Sequence, residues 1–256
     1  MNLENKVALV TGAGRGIGKG CALELARQGA ALIIVDRPES PDVATSASEI
    51  RALGRPCTVL EKDLFSREGC ESIVLQAIES SGRIDILVSN PAFSMRCSFL
   101  EQESEDFERV VKGTLTSGFH MSQLVARQMV KQGKGGKIVF ISSVQAQKPF
   151  ANSVAYNSAK AGLNQMMRTI AIELSPHRIN VNAIEPGWID TPGERSTFGD
   201  DTILREGVKL PWGRMGTPRD IGMAAAFLAS EQANYITGAI LPVDGGFLLK
   251  DCRDET

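Results

Sequence analysis

The chain has 256 residues, of which 43% are hydrophobic, and its acidic and basic residues nearly balance at a formal net charge of −2. This length and composition provide one large core, so we expect a single domain spanning residues 1–256. The two signs of charge are interspersed, which argues against a nucleic-acid partner. No segment is long and apolar enough to cross a membrane.

The cysteines and histidines limit the chemistry further. The five cysteines are odd in number and contain no Cys-x-x-Cys pair, so we interpret them as reduced thiols. With only two histidines, no zinc site or other metal site is predicted. The first residues also lack a basic segment followed by an apolar run. We therefore expect a cytoplasmic protein that acts on a small molecule.

The first elements predict a dinucleotide-binding turn. A short apolar run, Val7–Thr11, leads directly into Gly12, Gly16 and Gly18, and residues 19–28 then show helical periodicity. Glycines at a strand-to-helix turn let the backbone approach a pyrophosphate, and the helix N-terminus presents free N–H groups and a partial positive charge. The order of strand, glycine turn and helix makes this pattern more specific than the glycines alone.

Asp36 indicates which dinucleotide is preferred. It ends the second apolar run, Ala31–Asp36, and lies eighteen residues past Gly18. A carboxylate at this point accepts hydrogen bonds from both hydroxyls of the adenosine ribose and repels a 2′-phosphate. NAD is therefore favoured over NADP, although Arg15 or Arg37 would pair with that phosphate if Asp36 turned away.

Seven strand-like runs alternate with helix-length segments. They are residues 6–11, 31–36, 57–61, 84–89, 137–141, 179–183 and 240–243. This alternation predicts an α/β fold, a Rossmann-type doubly wound parallel sheet of about seven strands with helices on both faces. The long helices predicted at 114–131 and 151–174 have apolar residues on more than one face. Either all of these residues belong to the core, or some of them form contacts between subunits.

Ser143, Tyr156 and Lys160 carry the most chemical information. Ser143 follows the strand-like run 137–141, and Tyr156 and Lys160 stand four residues apart at the start of the next helix. Residues four apart share a helix face, so the lysine cation, together with an oxidised nicotinamide ring, is expected to lower the pKa of a phenol that is about 10 when free. The tyrosine then becomes a general acid/base near neutral pH.

Together these residues resemble the short-chain dehydrogenase/reductase family over about residues 5–249. The landmarks are Thr11-Gly12-x3-Gly16-x-Gly18, Asp36, Asp63, Asn90, Ser143, Tyr156-x3-Lys160, Pro186-Gly187, Thr191 and Asp244-Gly245-Gly246. The resemblance implies that the serine polarises the substrate oxygen, the tyrosine exchanges its proton, and the lysine holds the nicotinamide ribose. It implies an NAD(P)-dependent oxidoreductase of secondary alcohols and ketones.

The resemblance also implies the cofactor contacts: Asp63 at the adenine, Asn90 beside the ribose, and Ile189 and Thr191 at the carboxamide. The full expected set is Gly12, Arg15, Gly16, Ile17, Gly18, Asp36, Arg37, Asp63, Leu64, Asn90, Tyr156, Lys160, Pro186, Gly187, Ile189 and Thr191. The family's tetramers imply a homotetramer. The segment 188–212 resembles the family's substrate lid, which we expect to be disordered without bound ligand.

Two positions depart from the family pattern. Ser89-Asn90-Pro91-Ala92 replaces the usual Asn-Asn-Ala-Gly, so Pro91 is expected to alter the backbone donors of that turn. Thr114 stands where an asparagine usually completes a catalytic tetrad by holding a water that links the lysine to solvent. A threonine hydroxyl both donates and accepts, so a relay through a repositioned water is expected, and Thr114→Asn should leave activity equal or higher.

The substrate is less well defined. Predicted pocket residues are Phe93, Arg96, Gln145, Gln147, Phe150, Asn152, Trp188 and Phe198, a mixture of amides and aromatics that suits a sugar or polyol. Arg96 either binds a carboxylate or is a solvated loop arginine. The nearest resemblance is to glucose dehydrogenases, although Gln145 and Ala146 replace a different polar pair. Alternatives are a 3-oxoacyl thioester reductase using NADPH and a nucleotide-binding protein with weakened catalysis.

Overall fold

The computed structural model describes residues 1–90 and 92–252. Its seven parallel strands form one sheet in the order β3-β2-β1-β4-β5-β6-β7. They are β1 (Val7–Thr11), β2 (Ala31–Asp36), β3 (Cys57–Glu61), β4 (Ile86–Ser89), β5 (Gly136–Ile141), β6 (Ile179–Pro186) and β7 (Ile240–Val243). The strand order reverses between β1 and β4, which opens a crevice at their carboxyl ends. The predicted doubly wound α/β fold is confirmed.

Nine α-helices connect the strands within the described ranges. They are α1 (Gly16–Arg27), α2 (Val43–Ala52), α3 (Arg67–Ser81), α4 (Ser104–Val111), α5 (Ser117–Gln132), α6 (Val154–Leu174), α7 (Pro192–Phe198), α8 (Asp200–Gly207) and α9 (Pro218–Leu228). None of these helices combines the length and hydropathy that a membrane span requires.

The core has two layers, one on each face of the sheet. Alternate residues of a strand point to opposite faces, so Val10 and Ile34 pack with residues of α1 and α9. Leu9 and Ile33 pack on the other face with residues of α3, α5 and α6. Both faces of the sheet are therefore buried, as a parallel sheet requires.

The strand ends differ from the predicted ranges in two places that matter for the site. β6 continues to Pro186 rather than ending at residue 183, because its last residues pair with β7 in register. β4 begins at Ile86 rather than at Ile84, whose N–H is bound by the Gln132 side chain instead of a strand neighbour. The longer β6 carries Glu185 and Pro186 to the carboxyl edge of the sheet.

Two helix starts also differ from the predictions. The helix predicted from Thr114 is preceded by a π-helical turn, Lys112–Thr116, and α5 proper begins at Ser117. The helix predicted from residue 151 begins at Val154, since Asn152 has a positive φ of 62° and cannot continue it. Pro91, for which an altered turn was predicted, lies outside the described residues.

The segment 188–212, for which the sequence predicted disorder, contains the short helices α7 and α8. Thr191 caps α7 by accepting a hydrogen bond from the Glu194 N–H at 3.2 Å, and Pro192 occupies the first helical position. Gly199, with a φ of 79°, separates the two helices. The start signals for α7, a threonine followed by a proline, are present in the sequence.

Candidate active site

The end of β5 and the first turns of α6 bring Ser143, Tyr156 and Lys160 together. Ser143 follows β5, and its buried hydroxyl accepts a hydrogen bond from the Gln145 N–H at 3.1 Å. Burial raises the pKa of Tyr156 to about 12, against the lowering effect of a hydrogen bond with Ser143. The two hydroxyls expected to hold and protonate a substrate oxygen are therefore in contact.

Lys160 lies directly behind this pair. Its side chain is 1% exposed, its Nζ lies 5.5 Å from the centre of the Tyr156 ring, and it donates a hydrogen bond to the Ile141 carbonyl at 2.7 Å. Burial lowers the pKa of Lys160 to about 7. The ammonium is held by a strand-end carbonyl and is easily deprotonated.

The direction of the Tyr156 pKa shift shows that Lys160 alone does not lower it. The sequence predicted that Lys160 and an oxidised nicotinamide ring together lower this pKa; in the chain without cofactor, burial raises it, and the negative charge of Glu194 on α7 raises it further. Burial disfavours the charged form of each group, so the phenol stays protonated and the lysine loses its charge readily. A further positive charge at the site is needed before the phenol becomes a base at neutral pH.

Thr114 lies in the π turn and is 1% exposed. Its hydroxyl donates to the Phe93 carbonyl at 2.8 Å and accepts from the Phe93 N–H at 3.1 Å. A threonine hydroxyl has one proton and two lone pairs, so after these two bonds it has no proton left to donate and can accept one further hydrogen bond. In this structure the hydroxyl holds the segment after β4.

The two hydrogen bonds between Thr114 and Phe93 predict how two substitutions of Thr114 affect activity. Thr114→Asn should leave kcat equal or higher, because a side-chain amide also donates and accepts and so keeps both bonds to Phe93. Thr114→Val removes both bonds at nearly constant shape, and we expect kcat to fall roughly tenfold as the Phe93 segment shifts. Steady-state kinetics of both variants check this, and a large loss in the asparagine variant would contradict it.

The glycine turn after β1 has the shape that a dinucleotide requires. A Cβ on Gly18 would lie 2.0 Å from the Gly12 carbonyl oxygen, so only glycine lets α1 approach β1 so closely. Gly16 has a φ of 56°, and no side chain caps α1. The first N–H groups of α1 are thus available to a diphosphate. The Asn90 amide braces the turn by donating to Gly12 O at 3.3 Å.

Asp36 lies beside this turn, at the carboxyl end of β2. Its Oδ2 accepts a hydrogen bond from the Gly14 N–H at 2.6 Å, and its Oδ1 accepts one from the Arg37 N–H at 2.8 Å. Each carboxylate oxygen has a second lone pair, which leaves capacity for ribose hydroxyls. Arg15 and Arg37 are exposed nearby, and Arg15 Nε lies 3.8 Å from Asp42.

The remaining predicted cofactor residues lie along the same crevice with different roles for their side chains. Asp63 is exposed and accepts a hydrogen bond from the Phe65 N–H at 2.8 Å, while the Leu64 side chain is buried in the core. Ile189 is also buried, so only the backbones of Leu64 and Ile189 are available to a cofactor. A Cβ on Gly16 would lie 3.5 Å from Thr191, which places Thr191 opposite the glycine turn.

The other predicted residues of this set contribute through backbone position. Ile17 is partly buried against the core layer of α1, so its N–H at the start of the helix is the group that a phosphate would meet. Pro186 ends β6, and the Gly187 N–H is bound by the Val243 carbonyl at 3.1 Å. This bond fixes the direction in which the chain leaves the sheet toward Ile189 and Thr191.

The aromatic residues predicted for the substrate side cluster beside Ser143. Trp188, Phe198 and Phe150 pack against a buried cluster that includes Val144, the residue after Ser143. Trp188 and Phe198 meet edge to face with ring centres 5.6 Å apart, and Trp188 Nε1 donates to Glu194 at 2.7 Å. The exposed Arg96 guanidinium lies 5.8 Å from the centre of the Phe198 ring. The segment after β4 thus touches α7 across the site.

A cavity of about 320 Å³ opens at the start of α6 and is lined by two predicted pocket residues, Phe150 and Asn152. Its lining does not include Ser143, Tyr156 or Lys160.

Three residues around the site were not predicted from the sequence: Phe247, which stacks on Phe150, and the acids Glu185 and Glu194. Nothing in the local pattern marks Phe247 or Glu194. In the part of the chain that the structure describes, no metal-ligating cluster occurs.

Known proteins resemble the chain over nearly its whole length. A family model described as enoyl-(acyl carrier protein) reductase matches residues 12–248. The chain is 36% identical to an L-rhamnose 1-dehydrogenase (NAD(P)(+)) of Sphingomonas sp. (strain SKA58), over 95% of this chain and 96% of that protein. The chain belongs to the short-chain dehydrogenase/reductase family. Its reaction class, oxidoreduction at a CH–OH group with NAD(P), is confirmed with it.

Two further relatives support this membership in the short-chain dehydrogenase/reductase family. A 2-dehydro-3-deoxy-D-gluconate 5-dehydrogenase of Dickeya dadantii (strain 3937) is 35% identical over 97% of this chain and 98% of that protein. The crystal structure of a short-chain alcohol dehydrogenase from Sinorhizobium meliloti 1021, described as putative, superposes with a TM-score of 0.91 at 34% identity, covering 97% of this chain and 98% of that one.

Proposed function

We propose that the protein is an NAD-dependent dehydrogenase that oxidises a secondary hydroxyl of a sugar, sugar acid or polyol. The observation that carries this proposal is the contact between the Ser143 and Tyr156 hydroxyls with Lys160 buried behind them. The Ser143 hydroxyl holds the substrate oxygen, and Tyr156 takes the proton of that oxygen. Lys160 contacts both the nicotinamide ribose and Tyr156. Bound NAD supplies the hydride acceptor.

The charges of the site fit oxidation by the positively charged form of the cofactor. The raised pKa of Tyr156 and the lowered pKa of Lys160 both arise from burial. An oxidised nicotinamide carries a positive charge, which favours the phenolate and so prepares Tyr156 to accept a proton. Burial lowers the pKa of Lys160 to about 7, so Lys160 holds or releases a proton readily near neutral pH while its Nζ is placed by the Ile141 carbonyl.

Asp36 supports NAD as the preferred cofactor. Its carboxylate is fixed by two backbone N–H groups beside the glycine turn, so it does not need to turn away when an adenosine ribose is present. A 2′-phosphate there would meet this negative charge. The exposed Arg15 and Arg37 reduce that repulsion, and the NAD(P)(+) in the name of the L-rhamnose 1-dehydrogenase describes a relative that uses both cofactors.

The proposal is tested with a substrate panel. The purified protein is incubated with NAD or NADP and with aldoses, aldonic and ketoaldonic acids, polyols and simple secondary alcohols, and the reduced cofactor is followed by its absorbance. We expect turnover with a polyhydroxylated substrate and a kcat/KM for NAD at least about tenfold above that for NADP. Preference for NADPH and a 3-oxoacyl thioester would favour a reductase, and NADH binding without turnover would favour a regulatory protein.

Within this class, Arg96 favours a substrate that carries a carboxylate. The guanidinium lies on the Phe198 face at the entrance to the site, and it has no ion-pair partner among residues 1–90 and 92–252. Arginine binds a carboxylate through two parallel hydrogen bonds. The Dickeya relative is named for 2-dehydro-3-deoxy-D-gluconate, a sugar acid with such a group.

Arg96→Gln tests this assignment. We expect KM for a sugar acid to rise roughly tenfold or more and KM for a neutral sugar to change little, because only the acid loses a charged partner. The matched control is Arg109→Gln, since Arg109 is also exposed and lies 4.6 Å from the Phe93 ring centre. Equal effects of Arg96→Gln on acidic and neutral substrates would show that Arg96 only packs against Phe198.

We also propose a homotetramer in the cytoplasm, with segment 188–212 acting as a substrate lid. Phe119 on α5 and Ile172 on α6 are 40% and 71% exposed, which leaves apolar area available to a second copy of the chain. The five free thiols suit a reducing compartment. Light scattering of the purified protein measures the number of subunits directly.

A further inference from the structure

Glu185, the second-last residue of β6, is a fully buried carboxylate beside the catalytic elements. Its Oε1 accepts a hydrogen bond from Asn164 Nδ2 at 2.6 Å, and its Oε2 accepts one from Gln147 Nε2. A carboxylate buried at this depth is costly unless its hydrogen-bonding partners are held in place. The two amides come from different elements, so Glu185 joins three parts of the fold.

Those parts are the ones that hold the catalytic groups. Gln147 follows the 3-10 turn Val144–Ala146, and Ser143 is the N-cap of that turn. Asn164 lies one helical turn beyond Lys160, on the same face of α6. Glu185 itself leads into the chain that carries Ile189 and Thr191 to the nicotinamide side of the crevice.

We propose that Glu185 is a positioning residue that holds the Ser143 segment in register with the Tyr156–Lys160 face of α6, through Gln147 and Asn164. The inference rests on the proposed function, since it concerns the geometry of the proton transfer. Backbone pairing alone does not fix this register. The Ser142 N–H is bound by the Ile184 carbonyl at 2.7 Å, but the chain leaves the sheet immediately afterwards.

The state of Glu185 follows from its partners. Both amides donate to it, and the Asn164 Oδ1 is buried without a partner, so the carboxylate alone orients the Asn164 amide. A protonated Glu185 would donate from one oxygen and oppose one of the two amide N–H groups. Burial raises the pKa of Glu185, and the two amide donors act against that rise. Of the charged groups that face it, Arg168 on α6 favours the carboxylate and Asp244 after β7 opposes it.

The first test is Gln147→Ala, which removes one arm of the arrangement at an exposed residue. We expect kcat to fall roughly tenfold through displacement of Ser143, with unchanged NADH affinity and a substrate KM within about twofold of wild type. The matched control is Lys148→Ala, the next residue, whose side chain binds Asp251 instead. A change in substrate KM alone would show that Gln147 contacts substrate and would overturn the inference.

The second test is a double-mutant cycle between Gln147→Ala and Glu185→Gln. If Gln147 acts through Glu185, the double variant loses no more kcat than the more impaired single variant. Multiplied losses overturn the inference. Asn164→Ala with Gln165→Ala as its control repeats the comparison on α6, because Gln165 is the exposed neighbour. Thermal melting of each variant shows whether a loss of kcat merely follows a loss of folded protein, which would also overturn it.

The wild-type panel separates this inference from the proposed function. Absence of wild-type turnover on every substrate removes the proposed function and the role of Glu185 with it. Wild-type turnover combined with equal kcat for Gln147→Ala and Lys148→Ala removes only the role of Glu185.

Discussion

Tyr156→Phe is expected to lower kcat by roughly a thousandfold while leaving NADH binding intact. The change deletes only the hydroxyl that is in contact with Ser143, and the ring that packs beside Lys160 is retained. Without the hydroxyl, the substrate loses the proton acceptor and donor that we assign to this site. Quenching of protein fluorescence by NADH measures binding, and steady-state kinetics on the best panel substrate measure kcat.

The chain provides its own control for this variant. Tyr235 is the other of the two tyrosines and is fully exposed, so Tyr235→Phe makes the same chemical change away from the site. We expect its kcat to equal that of the wild type. Tyr156→Phe activity within about tenfold of wild type would refute the assigned role, because general acid/base catalysis contributes more than that.

Lys160→Met is expected to abolish turnover and at the same time to stabilise the protein measured without added cofactor. The wild-type lysine is buried, with its pKa lowered from 10.5 to about 7. Holding its charge in the core at neutral pH costs free energy that a methionine does not. Allowing for the bond to Ile141 that is lost, we expect a gain of about 1 to 3 kcal/mol in the free energy of unfolding at pH 7.

The pH dependence gives the sign of this effect. Between pH 7 and 10.5 the unfolded lysine holds a proton that the folded one has lost, so the wild type becomes more stable as pH rises through this window. The methionine variant lacks this rise, and the difference between the two proteins therefore shrinks toward pH 10. Denaturant unfolding at pH 7 and pH 9.5 measures it, with the exposed Lys131→Met as control. A constant difference would show that folded Lys160 keeps its proton throughout this window, so that its pKa is not lowered.

The fold was predictable because its signals are local and repeated. Each buried strand is a short apolar run, and the carboxyl-end rule for parallel strands places Ser143 and the start of α6 at one crevice. The glycine turn was predictable for the same reason, because its signal is also local. The structure shows that Gly18 leaves no room for a Cβ beside Gly12. The ends of helices and strands were predicted less well, as at the π turn before α5, because tertiary contacts set where an element begins and ends.

The electrostatics and the polar contacts could not be predicted in this way. The spacing of Tyr156 and Lys160 shows that they are neighbours, but the direction of the Tyr156 pKa shift depends on burial, which the fold sets. Glu185, Gln147 and Asn164 are separated by up to 38 residues, and no sequence pattern joins them. The one available signal was that Asn164 continues the helical face of Tyr156 and Lys160.

The bond between Trp188 and Glu194 supplies an intrinsic optical probe. Trp188 is one of two tryptophans, and its indole packs against Phe198 and binds Glu194, whereas Trp212 is 70% exposed. Emission from the shielded indole is therefore bluer than that of its exposed counterpart. Any displacement of α7 during turnover changes this spectrum, so the motion can be timed without attaching a dye.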